Sequence, residues 1–164
     1  MKTSMERVQK LYMHPLFQER TALLKEAEKE RVFCRHTMEH FLDVARLMYI
    51  YDLEEGSRLD KELIYAAALL HDIGRCEQIF HGTPHHTAGA ETAGVLLPAC
   101  GFSPRETKQI QEAIVCHRSE ELSKSSLLAR YLFRADKQSR CCFCCPAAEQ
   151  CNWSEEKKNN RIQY

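Results

Sequence analysis

Residues 63–75 read LIYAAALLHDIGR. As far as Leu70 this is an apolar helix with hardly a polar face, the pattern of a helix surrounded by protein on all sides. Asp60 stands in front of KELIYAAALL as its N-cap. The run then ends in His71-Asp72. A carboxylate at the end of a buried helix needs a partner, because desolvating a lone charge costs several kcal/mol or more. A metal ion is the partner that engages a carboxylate and a neighbouring imidazole together. The doublet by itself is weak, since His-Asp also closes ordinary helices. Its meaning depends on whether other helices aim further donors at it.

Three of them do. Residues three or four apart share a helix face. On a helix predicted over 34–51, the stripe Phe33, His36, His40, Val44, Leu47 carries two histidines among apolar neighbours. On a helix over 104–117, Ile110, Ala113 and Ile114 lead to His117. On a helix over 125–138, Leu128, Leu132 and Ala135 lead to Asp136. Any one of these histidines is more simply read as a core residue bonded to backbone, and Asp136 as an ion-pair partner of Arg75 or Arg118. Together with His71-Asp72 they read as a metal site built from several helices.

The rest of the chain fits an all-α domain. Further helices are predicted over 5–13, 16–31, 60–71 and 86–99, about six or seven in all. The segment 74–85, with Gly74, Gly82 and Pro84, reads as a loop. Ser103-Pro104-Arg105-Glu106 is a capping box with Pro at the first helical position. No alternating β-branched run or Asn-Gly hairpin signal is present. A chain of 164 residues with 44% hydrophobic residues can bury one sizeable core. Lys plus Arg and Asp plus Glu balance at 23 each, with no polybasic tract, which speaks against long nucleic acid or an anionic membrane as partner. No apolar run approaches the roughly 20 residues of a membrane span. The start, MKTSMERVQKLYMH, lacks an apolar signal core, so the expected location is cytoplasmic. The chain divides into a helical domain, 1–138, and a Cys-rich appendage, 139–164.

The order His40, His71-Asp72, Asp136 resembles the HD-domain superfamily of metal-dependent phosphohydrolases. HFLDVARL (40–47) is similar to its first-histidine helix, LLHDIGR to its signature doublet and FRADK (133–137) to its closing Asp segment. The resemblance covers roughly 30–140. It implies a helical HD-type bundle and metal ligands His40, His71, Asp72 and Asp136. HHTAGAE (85–91) and IVCHRS (114–119) resemble the segments that supply a second ion in the dinuclear branch, which includes dinucleoside polyphosphate hydrolases and cyclic-dinucleotide phosphodiesterases. The family register, a histidine four residues before a small one, picks His85 over His86. His117 closes the next helix. Asp72 would then bridge two ions.

The implied activity is hydrolysis of a phosphate ester or anhydride in a phosphorylated small molecule or nucleotide, through a metal-bound hydroxide. The mixed imidazole and carboxylate set suits Fe, Mn, Co, Ni or Zn, as one or two ions, and selects none of them. Arg75, Arg118 and Lys137 follow ligand positions directly and are candidates for holding phosphate beside Asp72. Surface ion pairing is an equal alternative for each. His36-Thr-Met-Glu39-His40 also matches H-x-x-E-H, an inverted zinc-protease pattern, but that reading leaves His71, Asp72 and Asp136 unexplained. The register to Val44 favours His40 over His36 as ligand. The alternatives in function are an HD-fold diiron oxygenase and a non-catalytic regulatory domain. The oligomeric state is not legible.

Nine cysteines are many for this length, and five fall between 141 and 151 in RCCFCCPAAEQCNW. Cys142-x2-Cys145-x5-Cys151 and the overlapping Cys141-x2-Cys144 offer chelating pairs for zinc or an iron–sulfur cluster. The fourth ligand is not identified beyond the cluster itself. Redox thiols and unliganded packing are the competing readings. Cys34, Cys76, Cys100 and Cys116 read as small core residues or inert thiols.

Overall fold

The computed structural model describes residues 5–164. They form α1 (Glu6–Met13), α2 (Pro15–Ala27), α3 (Met38–Glu55), α4 (Lys61–Leu70), α5 (Arg75–His81), α6 (His85–Ala99), α7 (Pro104–Cys116), the single turn α8 (Glu120–Ser123) and α9 (Leu127–Gln138). Two short 3₁₀ turns follow, Cys142–Cys144 and Ala148–Gln150. No strand occurs among the described residues, so the domain is all-α.

α4 is the centre of the bundle. It packs against α1, α3, α6, α7 and α9, and Ile64, Ala66, Ala67, Ala68 and Leu70 have no solvent exposure. Its all-round apolar sequence therefore has apolar partners on every side. Each large aliphatic here contributes about 1.5–3 kcal/mol through burial. The Asp60 side chain accepts from Leu63 N at 3.0 Å and starts the helix at the surface. Ten residues later the chain delivers His71 and Asp72 to the middle of the molecule. Arg7 holds the opposite end, reaching Glu62 at 2.5 Å, Glu106 at 2.8 Å and Asp60 at 3.1 Å, with its guanidinium over Phe102. That contact fastens α1 to α4 and α7.

Helix ends follow their caps. Ser103 and Glu106 form the reciprocal capping box of α7, and Ser126 Oγ accepts from Ala129 N at the start of α9. Two expectations need correction. The predicted helix over 34–51 begins only at Met38, because Thr37 is the N-cap and its hydroxyl accepts from His40 N; it runs on to Glu55. The stretch 74–85 is not all loop. Residues 75–81 form α5, closed by Gly82 in the left-handed conformation at φ +75. The two glycines that looked like loop punctuation bracket a two-turn helix.

Beyond Ser139 the chain folds back on the bundle. Asn159 Nδ2 donates to the carbonyls of Lys137 at 2.7 Å and Arg140 at 2.9 Å. Phe143 N donates to Asn159 O at 3.0 Å. Tyr164 packs edge-on to Tyr51 of α3 and accepts from Arg134 of α9.

Candidate metal centre

Asp72 is fully buried, and its two carboxylate oxygens face different sets of histidines. Oδ2 lies 3.1 Å from His71 Nε2, 3.5 Å from His36 Nε2 and 3.9 Å from His40 Nε2. Oδ1 lies 3.5 Å from His85 Nε2 and 3.7 Å from His117 Nε2. Asp136 Oδ1 closes the first set, 3.4 Å from His40 Nε2 and 3.6 Å from His71 Nε2. Donor atoms of His40, His71, Asp72 and Asp136 come within 4.8 Å of one another, as do those of Asp72, His85 and His117. Asp72 belongs to both groups.

Each imidazole is aimed by a bond on its far side. His71 Nδ1 donates to Ala68 O at 2.7 Å and His117 Nδ1 to Ile114 O at 2.5 Å, each using the carbonyl of its own helix end. His85 Nδ1 meets Gln78 Oε1 of α5 at 2.6 Å. His40 Nδ1 meets Ser139 Oγ at 3.2 Å. With a proton held on Nδ1, the lone pair of Nε2 points inward, the arrangement that orients metal-bound histidines. The donors also fit an ion by what they lack. Both oxygens of Asp72 and Nε2 of His71 and His85 are buried without a hydrogen-bond partner. Unsatisfied buried polar atoms are rare in native proteins, and four of them turned toward one another match the imidazole and carboxylate preference of a divalent transition metal.

The electrostatics agree. Burial pushes His40 down to about 4, against the pull of Asp136. Burial, with Arg75 nearby, pushes His85 down to about 3. Both are therefore neutral ligands at neutral pH. Burial also acts to lower His71, but Asp72 and Asp136 outweigh it and lift the imidazole to about 9. Ion binding there would displace a proton. Burial acts to raise Asp72, yet His71 and Arg75 hold it well below the usual carboxylate range. Asp136 is held low in the same way by His40 and His71.

A close backbone contact sets the second half of the site. The turn after α4 lies directly on α6: a Cβ added to Gly74 would sit 2.2 Å from His85 O and 2.4 Å from Gly89 N. A Cβ added to Gly89 would meet only ordinary contacts, 3.4 Å from Leu70 O. Glycine at position 74 is what lets the turn after Asp72 and the helix carrying His85 touch backbone to backbone.

Beside the first group opens a cleft of about 370 Å³, lined among others by Arg31, His36, Arg75, Asp136, Lys137 and Arg140. Four cations among its lining residues suit an anionic ligand. Arg75 Nε stands 2.7 Å from Asp72 Oδ1, though not aligned for a hydrogen bond. Lys137 Nζ contacts Asp136 Oδ2 at 2.5 Å.

The structure thus gathers His40, His71, Asp72, His85, His117 and Asp136 in one place, with Arg75 and Lys137 beside them. It sets Arg118 apart: that side chain is exposed and lies 3.4 Å from His86 Nδ1, outside the cleft. His86 faces it, while His85 points at Asp72. Cys142, Cys145 and Cys151 stand outside both donor groups. His36 is close to Asp72 but not by the expected route. It precedes the N-cap of α3, and buried Glu28 holds it, accepting from its backbone N at 2.7 Å and meeting its Nδ1 at 2.5 Å. Burial lowers the His36 imidazole despite the pull of Glu28. H-x-x-E-H needs both histidines on one helix, and here only His40 is on α3 while Glu39 is exposed. Sequence reasoning missed Glu28, Gln78 and Ser139 as braces and Arg31 and Arg140 as cleft cations. Only Arg140 carried a signal, standing next to the Cys-rich run.

Residues 37–141 match the family model described as HD domain. An uncharacterized protein of Clostridium beijerinckii is 42% identical over 140 residues, covering 85% of this chain and 87% of that protein. A crystal structure of a predicted HD superfamily hydrolase from an uncultured Thermotogales bacterium matches with a TM-score of 0.59 at 30% identity, over 80% of this chain and 72% of that one.

Proposed function

This chain belongs to the HD-domain family, and we propose that it is a metal-dependent phosphohydrolase acting on a phosphate ester or anhydride of a nucleotide-like substrate. The observation that carries the reading is the junction of two features: a carboxylate whose two oxygens face separate histidine sets, and a cationic cleft opening beside it. The similar Thermotogales protein is a predicted HD superfamily hydrolase. Residues His40, His71, Asp72 and Asp136 would hold one divalent ion and Asp72, His85 and His117 a second. Ions so held lower the pKa of coordinated water and offset charge developing on a phosphoryl group.

The protein's own side chains do the rest. Arg75 and Lys137 bind and orient the phosphate, arginine through its paired N–H groups, while Arg31 and Arg140, tied to backbone carbonyls of Cys34 and Arg35, add positive charge to the cleft. His36 lies outside both converging donor groups, yet its Nε2 lines the cleft side of Asp72. Glu28 fixes its ring, so His36 is placed to move a proton at Nε2 between water and the leaving oxygen. Trp153 on the cleft wall offers an aromatic face for a base.

The test is reconstitution. Protein stripped of metal and reloaded singly with Fe, Mn, Co, Ni or Zn is assayed on p-nitrophenyl phosphate, nucleoside phosphates, dinucleoside polyphosphates and cyclic dinucleotides. Metal-dependent release of phosphate or nucleotide is the expected result. Fully loaded protein that releases neither, whether it is inert or consumes O2, overturns the reading.

A further inference from the structure

Outside the His/Asp centre the chain holds a second concentration of metal-binding side chains. Cys142 opens the first 3₁₀ turn and Cys145 follows it, and Cys151 follows the second. Cys34 comes from the loop between α2 and α3, at the other end of the domain in sequence. All four are free and half-buried, and all four line one cavity of about 230 Å³. The remaining two cysteines of the tail are exposed: Cys141 also borders the cavity, and Cys144 is not on its wall. Of the two overlapping C-x2-C registers, only Cys142 and Cys145 turn both thiols to the same space.

The meeting of Cys34 with the tail is fixed by polar contacts rather than by core packing. Arg31 Nε donates to Cys34 O at 2.8 Å. Arg140 Nη1 donates to Arg35 O at 3.1 Å and binds the loop to the tail. Asn159 holds the tail against the end of α9. Lys158, its side chain 11% exposed, stands on the cavity wall with Arg140, and two cations there offset the charge of clustered thiolates. Ala148 and Trp153 supply apolar wall.

The arrangement also discriminates between occupants. A single zinc ion with bonds of about 2.3 Å in a tetrahedron draws its four sulfurs to about 3.8 Å from one another. Among the described residues, the donor groups that converge within 4.8 Å contain only histidine and aspartate. The thiols ring a cavity instead of meeting at a point, which suits a ligand that offers each sulfur its own metal atom. We propose that Cys34, Cys142, Cys145 and Cys151 ligate a four-iron iron–sulfur cluster, each as a thiolate on one iron. His40 lines the same cavity, so the cluster would stand beside a residue of the His/Asp centre.

The experiment is purification without oxygen from iron-replete cells, with iron and acid-labile sulfide counted per chain and visible absorption recorded. Wild-type protein should carry about four sulfides and about four irons beyond any in the His/Asp centre, with a broad thiolate-to-iron absorption band. Cys34→Ser should lose most of the sulfide and the band, as Cys145→Ser does, while Cys144→Ser keeps both. Circular dichroism and the metal content of the His/Asp centre show whether each variant is folded. Wild-type protein holding zinc and no sulfide overturns the proposal without any variant. So does a Cys34→Ser protein with wild-type sulfide. Phosphatase activity is not the readout, so failure here and failure of the phosphohydrolase reading are separate results.

Discussion

In the His/Asp centre, donors from the ends of α4, α7 and α9 and the starts of α3 and α6 form two groups that share Asp72, each converging within 4.8 Å; next door, in a cavity that His40 also lines, thiols from a loop and a tail surround a space. The first site stands on helices whose positions are already settled by apolar burial. Its cluster of unsatisfied polar atoms would by itself push the helices apart, and the core around α4 outweighs that repulsion. Its geometry is therefore expected before any ion arrives. The second site stands on 3₁₀ turns with little buried surface, and its segments are held by a few hydrogen bonds. There the bound group would supply much of the ordering free energy. One site is preorganised by the fold and the other is completed by what it binds.

Asp72→Ala tests that contrast hardest. It removes the one carboxylate shared by both donor groups, so metal in the His/Asp centre should vanish and phosphohydrolysis should fall by at least about a thousandfold, roughly 4 kcal/mol of barrier. Iron and sulfide at the cysteines should be unchanged. If elemental analysis shows both sites emptied together, the two are not independently built.

His36→Gln sharpens the division of labour inside the first site. A residue that moves a proton should drop kcat by about a hundredfold with KM and metal content little changed. If instead the metal content falls as far as it does in His40→Ala, His36 is a ligand.

Gly74→Ala separates the two halves of the centre. The new methyl meets backbone atoms of His85 and Gly89, which cannot swing aside. α6 should shift, the ion of Asp72, His85 and His117 should be lost first, and activity should fall about tenfold to a hundredfold. Equal loss of both ions by metal counting would show that the halves are not separable in this way.

The smallest effect belongs to Arg118→Ala. The side chain is exposed and faces His86 rather than the cleft, so kcat/KM should change by less than about threefold, below roughly 1 kcal/mol. A larger loss would bring Arg118 back among the phosphate-binding cations.

How much of this the sequence discloses depends on the range of the interaction that decides it. His71-Asp72 is legible because an apolar helix ending in two polar residues is a local contradiction. The capping box at Ser103 and the helix start at Asp60 are local too, and the structure has both. The spacing of His36 to His40 is helical and predicts one helix through both, but Thr37 competes as N-cap and wins, so His36 reaches Asp72 from a loop. α5 is hidden because Gly74 and Gly82 mark loops as often as they bracket a short helix. Glu28 and Cys34 could not be found from spacing at all. Each acquires its role only when the loop between α2 and α3 is laid against another element.

The contact between Gly74 and the backbone of α6 has a consequence for which ion the centre prefers. Side chains can yield by tenths of an ångström, but two main chains in van der Waals contact cannot approach further, and their helices are held by the core. The distance from Asp72 to His85 is in effect machined by the fold, as a gauge block sets a gap. Donors of this kind bind all the first-row metals, with affinity rising from Mn to Ni, and the fixed gap adds a dependence on ionic radius. Departures from that general order among Fe, Mn, Co, Ni and Zn should follow how well each ion spans the gap, and widening it by one methyl should change them.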